Sequence, residues 1–256
     1  MTEEAQASSP GQGTYVYGIV RAGASLDPID AVEDGLPEVR LVEAGDLAAL
    51  VSDGPERASR ELVLSHGRVL EAALESSPVL PLRFGMVVTD EDAVRDEILE
   101  AHHDELAQLL ERFEGRVQLT LKVYYHEDVV VAEILASDEN VARLREAIRG
   151  RPEDASRKER IALGERINAA IEKRRKRDGQ EIMGRLRPLA DAVTLEPPED
   201  ELMVAHAGFL LQRDRIQEFD TTLEDMAQEG AELLRFRLLG PMPAYNFVDF
   251  KEPAWG

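Results

Sequence analysis

The sequence predicts an α+β fold, and two observations carry that prediction. In the first half, short β-branched and aromatic runs alternate with longer amphipathic helical patterns. From about 126 to 192 the chain reads as helix almost throughout, and strand-like apolar runs return after it. No low-complexity tract or short repeat interrupts this order.

Residues 1–13 (MTEEAQASSPGQG) are small, polar and Gly/Pro-rich and read as a disordered lead-in. Residues 14–20 (TYVYGIV) form a strand, and a stretch punctuated by Gly, Pro and Asp follows to Pro37. Residues 38–52 read as two short strands around a turn at 43–46. A helix starts after Pro55 and runs to about Glu75, with Leu62, Val63, Val69, Leu70 and Leu74 as its apolar stripe. Ser76-Ser77-Pro78 stops it, and residues 79–88 (VLPLRFGMVV) read as one strand with Pro81 near its start or edge. Thr89 is placed as the N-cap of the next helix, with Asp90–Asp92 in its first turn, where the helix dipole favours acids. That helix carries Val94, Ile98, Leu106, Leu109 and Leu110 to about Glu114, and Gly115 closes it. Residues 117–125 (VQLTLKVYY) alternate with period two and form a strand. The order predicts an antiparallel-rich sheet with helices on one face, a modified ferredoxin-like domain over 14–126.

Helices over 127–136 and 138–149 come next, and Gly150-Arg151-Pro152 breaks the chain. A long helix over 154–189 spaces Leu163, Ile167, Ile171, Ile182, Leu186 and Leu189 as a coiled-coil-like or helical-hairpin seam, with Gly179 as the place for a bend. Beyond Pro197-Pro198 the reading is strand (203–212), helix (213–230) and strand (231–240), which completes a C-terminal α+β domain over 127–240. A β–helix–β echo in each part leaves a duplicated ferredoxin-like arrangement open. The tail over 241–256 is too rich in Pro and Gly for regular structure and too apolar and aromatic to float, so it is expected to pack back across the domains.

Composition bounds the function. Hydrophobic residues make up 43%, enough for a sizeable core, and the net charge is −21. Residues 1–150 hold 13 Lys/Arg against 30 Asp/Glu (−17), and residues 151–256 hold 17 against 21 (−4). Such a field disfavours nucleic acid and anionic membrane as partners. The absence of cysteine excludes disulfides, thiolate nucleophiles and Cys-based metal sites. The N-terminus lacks the basic and apolar regions of a signal peptide, and no run approaches the ~18 apolar residues of a membrane helix. Cytoplasm is the expected location.

The search for chemistry finds no glycine-rich phosphate cradle, and no cofactor is expected. None of His66, His102, His103, His126 and His206 has metalloprotease spacing. Asp104 and Glu105 beside His102-His103 read as a solvated helix face, His126-Glu127-Asp128 as a strand-end turn, and His206 as a sheet residue. No pattern joins a nucleophile, a base and an orienting group, so the expectation is a binding protein and not an enzyme. The run Lys173-Arg174-Arg175-Lys176-Arg177 is the one local reversal of charge, with 10 basic and 5 acidic residues over 151–177. Without interleaved aromatics it reads as a solvated face or a dock for acidic partners, including the chain's own N-terminal half.

Three stretches in this order, TYVYGIV (14–20), VLPLRFGMVV (79–88) and LLGPMPAYNFV (238–248), make the chain resemble the gas vesicle protein F/L (GvpL/GvpF) family. Pro81, Arg83, Phe84 and Gly85 match the family's PLRFG strand, and AHAGFLLQRD (205–214) also fits. In the last motif the family usually has an aromatic where Met242 stands and a proline at Ala244. The resemblance implies two domains, the second α+β with long helices and a docked tail. It implies an accessory or minor structural protein needed to form gas vesicles, whose partners are the hydrophobic shell protein and other accessory members. Arg83, Phe84, Gly240, Pro241, Tyr245, Asn246 and Phe247 are then candidates for partner binding or for holding the fold. A ferredoxin-like ligand-binding regulatory module is the alternative function, and the oligomeric state stays open.

Overall fold

The computed structural model describes residues 13–30, 38–55, 59–152 and 154–248. The lead-in up to residue 12, the stretch over 31–37 and the tail beyond 248 lie outside the described residues, Trp255 among them. The chain is α+β and divides into two compact units. Unit 1 takes the described residues up to Gln118 together with those from Pro241 on, and unit 2 is Leu119–Gly240.

Unit 1 is built on β1 (Thr14–Arg21), the short helix α1 (Asp27–Asp30), β2 (Arg40–Ala44), β3 (Leu47–Asp53) and α2 (Arg60–Ser76). After α2 come β4 (Leu80–Pro81), β5 (Val87–Val88), α3 (Glu91–Ala93) and α4 (His103–Arg112). The strand order is β2-β3-β1-β4, with β5 also pairing β1, and each of these pairs is antiparallel. β1 is the central strand, and Tyr15, Val16, Tyr17, Ile19 and Val20 are all fully buried. Gly18 is needed in it: a Cβ there would stand 2.6 Å from the Leu80 carbonyl oxygen and 2.7 Å from Leu70 Cδ2.

Two expected elements of this unit change. The single strand over 79–88 is two short strands that both pair with β1, Leu80 and Pro81 against Ile19 and Gly18, Val87 and Val88 against Tyr15 and Thr14. Pro81 has no N–H to continue a ladder, and Gly85 turns the chain between them at φ 90°, a left-handed conformation that glycine adopts without strain. The helix expected over 90–114 is also interrupted. Its N-cap is Asp90 and not Thr89, the Asp90 carboxylate accepting from Ala93 N–H at 2.8 Å. A π-helical stretch, Val94–Glu100, follows α3, and the Ala101 N–H donates to the Asp96 carbonyl five residues back. This wider turn puts Val94, Ile98 and Leu99 inward together, each buried.

Unit 2 begins within β6 (Arg116–Tyr125), the strand whose end the sequence suggests as a domain boundary. It continues with α5 (Glu127–Ser137), α6 (Glu139–Ile148), α7 (Arg157–Leu186), β7 (Ala192–Leu195), β8 (Met203–Gln212), α8 (Ile216–Glu229) and β9 (Leu234–Met242). The strand order is β7-β8-β6-β9. β7 is not foreseen in the sequence. β9 starts later than expected, after a turn at 231–233, and runs on through Pro241 and Met242, which the sequence places in an irregular tail. α7 is a single 30-residue helix. It runs unbroken through Gly179, whose missing side chain lets the Val204 carbonyl oxygen come within 3.1 Å of where a Cβ would be. Ile171, Ile182 and Leu186 of α7 join one core with Leu121 and Val123 of β6, Phe209 of β8 and Phe219 of α8.

Candidate functional site

The PLRFG stretch ends in a turn that unit 1 holds rigidly. Val16 N–H donates to the Met86 carbonyl at 3.0 Å, and Leu82 N–H to the Tyr17 carbonyl at 3.0 Å, so both sides of the turn are tied to β1. Its tip is tied by Gly85 N–H, which donates to the Tyr15 hydroxyl at 3.2 Å. That oxygen lies 2.9 Å from His66 Nδ1 on α2. The hydroxyl accepts from Gly85 and shares a hydrogen bond with His66 Nδ1 whose direction follows the ring's tautomer. Burial pushes His66 below the ordinary histidine range, against a smaller opposing pull from the Leu82 carbonyl. Nε2 is buried and makes no hydrogen bond of normal geometry. Tyr17 stacks on the His66 ring at 5.6 Å and donates to or accepts from Ser52 Oγ at 3.0 Å.

This frame presents Phe84. Its ring stands edge-on to His66 at 5.7 Å, yet 41% of the residue remains exposed. Arg83 beside it is exposed and makes no ion pair among the described residues.

The second motif group lies in the same unit. Past β9 the chain turns back, and Ala244 and Phe247 are buried. Gln118, 1% exposed at the start of β6, clamps Asn246: its Nε2 donates to Asn246 Oδ1, and its Oε1 accepts from Asn246 N–H at 2.9 Å. Gly240 and Pro241 are exposed strand residues that lead into this clamp. Asn246 and Phe247 therefore hold the tail, whereas Tyr245 is 40% exposed. Burial of its hydroxyl, and then the charge of Glu71, push its pKa up to about 12.

Phe84 thus adjoins α2 at His66, and the charge of Glu71 on the same helix acts on the Tyr245 hydroxyl. At about 100° per residue, Val63, Gly67 and Leu64 lie about 60°, 100° and 160° round the helix from His66, with Glu71 at about 140°. Val63 and Leu64 are 50% and 52% exposed, and Gly67 leaves open space between. α2 thus carries an exposed apolar strip, Val63 and Leu64, and Phe84 and Tyr245 are exposed in the same unit. The sequence reading missed this strip, because it assigned Val63 to the buried stripe. The signal was present: three successive apolar residues, 62–64 (LVL), span about 200° of helix, more than one buried face accommodates.

The remaining candidates resolve into structure. His103 Nε2 contacts Asp46 Oδ1 at 2.6 Å while Asp46 Oδ2 accepts from Arg21 at 3.0 Å. Asp46, then Asp104, hold the His103 pKa above its ordinary value. In the basic run, Arg174 and Arg177 reach Asp178 at 3.3 and 2.7 Å, and Arg174 also pairs with Glu133. Asp178, 8% exposed, also accepts from the Tyr125 hydroxyl at 2.8 Å. Lys176 pairs with Glu172 at 2.8 Å, which leaves Lys173 and Arg175 without an ion pair among the described residues. No group of three or more His, Asp or Glu among the described residues is placed to hold a metal ion, and no described helix is long and apolar enough to cross a membrane.

Fold and surface together define an α+β protein of two sheet-based units with an exposed apolar strip on one helix. The chain belongs to the gas vesicle synthesis protein GvpL/GvpF family, whose profile matches residues 13–249. It is 33% identical over 241 residues to gas vesicle protein F of Streptomyces sp. (strain CB03234), covering 92% of this chain and 99% of that one. It is 28% identical to gas vesicle protein L of the same strain, with 93% of each chain covered. The crystal structure of GvpF from Anabaena sp. PCC7120 superposes with a TM-score of 0.75 at 26% identity, covering 94% of this chain and all of that one.

Proposed function

We propose that this chain is an accessory or minor structural protein of gas vesicle formation that works in the cytoplasm. It binds the hydrophobic shell protein and other gas vesicle proteins during nucleation or assembly. The observation that carries this reading is the exposed apolar strip of Val63 and Leu64 on α2, with Phe84 and Tyr245 also exposed in the same unit, on a chain of net charge −21. A subunit that must present an apolar face to gas aggregates before assembly unless that face is covered. An apolar strip on a strongly charged carrier supplies the cover and keeps the complex in solution. The strand order of unit 1, read from its edge as β4-β1-β3-β2, supports a modified ferredoxin-like domain with a much shortened first helix. In the same reading, unit 2 is the helical α+β domain with its seam along α7, and the tail packs across the domains.

Co-expression of a gas vesicle shell protein with the wild-type chain, or with Val63→Glu/Leu64→Glu, tests the proposal. Both substitutions are at half-exposed sites, so the variant should melt like the wild type. The wild type is expected to raise the amount of shell protein in the soluble fraction and the variant to fail to do so. Equal amounts with and without the chain would sink the proposal.

A further inference from the structure

Unit 2 carries a groove that the apolar strip does not explain. It is about 680 Å³ in volume, lies open along one side, and runs between α7 and the strand ends of β7 and β8. On α7 and its C-cap Arg187 the lining positions 176, 180, 183 and 187 recur at three- and four-residue spacing, a single face from Arg175 to Arg187 and ~18 Å long. The walls are apolar: Met183 of α7, Leu195 of β7, and Met203 and Val204 of β8, closed off by Pro188 and Pro198. Leu195 is 63% exposed, the barest large apolar side chain among the described residues.

Charge is arranged at the ends. Arg175 and Lys176 stand at one end of the α7 face and Arg187 at the other, with Glu196 as the one acid of the lining. Arg175 and Arg187 make no ion pair among the described residues. His206 Nδ1 is enclosed in the wall without a hydrogen-bond partner. On a chain of net charge −21, an apolar groove with cations at both ends is a local reversal.

We infer that this groove docks an amphipathic helix of a partner protein, about three turns long, with an apolar face and acidic residues at both ends. The length follows from the ~18 Å between the cationic ends, which is about twelve residues of helix. The acids follow from charge complementarity with Arg175 and Arg187. A single-headed anionic amphiphile such as a fatty acid would use only one of the two cationic ends. Met183 and Met203 give the wall an adaptable surface suited to the side chains of a helix face. The inference holds whether or not the gas vesicle role does, because it uses only the groove's own shape and charge.

Gly184 provides the test. A Cβ there would meet nothing within 4 Å, and the residue lines the groove, so Gly184→Phe fills it without disturbing the packing of unit 2. The probe is a fluorescein-labelled 14-residue helical peptide with leucines along one face and two glutamates at each end; a counterpart carries lysines at the ends. Fluorescence polarisation with the full chain should show the glutamate peptide binding at least tenfold more tightly than the lysine peptide. Gly184→Phe should weaken that binding at least tenfold while the melting temperature holds, and Arg175→Glu/Arg187→Glu should reverse the preference. Equal binding of the two peptides, or unchanged binding by Gly184→Phe, would overturn the inference. So would displacement of the probe by dodecanoate at one equivalent, which would assign the groove to a small amphiphile. Probe binding that falls as the chain self-associates would assign it to a second copy.

Discussion

The Tyr15 hydroxyl accepts from Gly85 N–H and is hydrogen-bonded to His66 Nδ1, so a single oxygen joins β1, the 83–86 turn and α2. Tyr15→Phe keeps the ring and removes that oxygen, which leaves a backbone donor and an imidazole nitrogen unpaired in a buried place. A loss of about 1–3 kcal/mol is expected, measured by urea unfolding, with faster amide exchange at Gly85. The same network sets a pH response. His66 is held below the ordinary histidine value of 6.5 by burial, so the unfolded chain takes up a proton before the folded one does. The His66 contribution is therefore flat above about 6.5, and stability falls on its account as the pH drops from there toward the folded-state value. His103 has the opposite sign, since Asp46 and Asp104 raise its pKa. Its contribution is present below 6.5 and is lost as the pH rises through the raised value. Histidine side-chain NMR should find one ring titrating below the ordinary value and one above it. Asp46→Asn should return His103 toward 6.5 and leave His66 in place; movement of both together would contradict the assignment.

At the scale of elements, two glycines of α7 should respond oppositely to the same change. Alanine at Gly184 meets nothing within 4 Å, so it gains the full helix propensity, up to about 1 kcal/mol, and raises the melting temperature. Alanine at Gly179 stands 3.1 Å from the Val204 carbonyl oxygen, so strain offsets that gain and little or no rise is expected. This contrast also marks what the sequence could tell. The sequence marks Gly179 only as a place for a bend and does not single out Gly184; the position of β8 is what separates them. Strands with a clear period or composition, β1, β6 and β8, were legible because their own residues specify them. β7 was not: four residues, AVTL, carry too little pattern to be told from a loop. The stretch over 79–88 was misread because Pro81 and Gly85 act through pairing with β1, which lies far away in the chain. The candidate site was half legible. Phe84 and Tyr245 stood out as motif residues, but the clamp of Gln118 on Asn246 spans 128 residues and leaves no local trace. Val63 looked like core because apolar periodicity does not say which apolar residues are covered.

At the scale of the molecule, the total of −21 conceals two surfaces of different physics. Residues 1–150 carry −17, and within them the strip on α2 is apolar. Residues 151–256 carry only −4, and within them the groove beside α7 has a cation at each end. Binding at the strip draws on buried apolar area, which salt leaves intact or strengthens. Binding at the groove draws on exposed cations, which salt screens over a Debye length of about 10 Å at 0.1 M. Raising NaCl from about 0.05 to about 0.5 M should therefore weaken the acidic peptide severalfold and leave capture of the shell protein undiminished. The two sites lie in different units and share no residue, so their substitutions should also add. Val63→Glu/Leu64→Glu should abolish capture without altering peptide affinity, and Gly184→Phe should do the reverse. A loss of both activities from either change, at an unaltered melting temperature, would mean that one partner spans both surfaces.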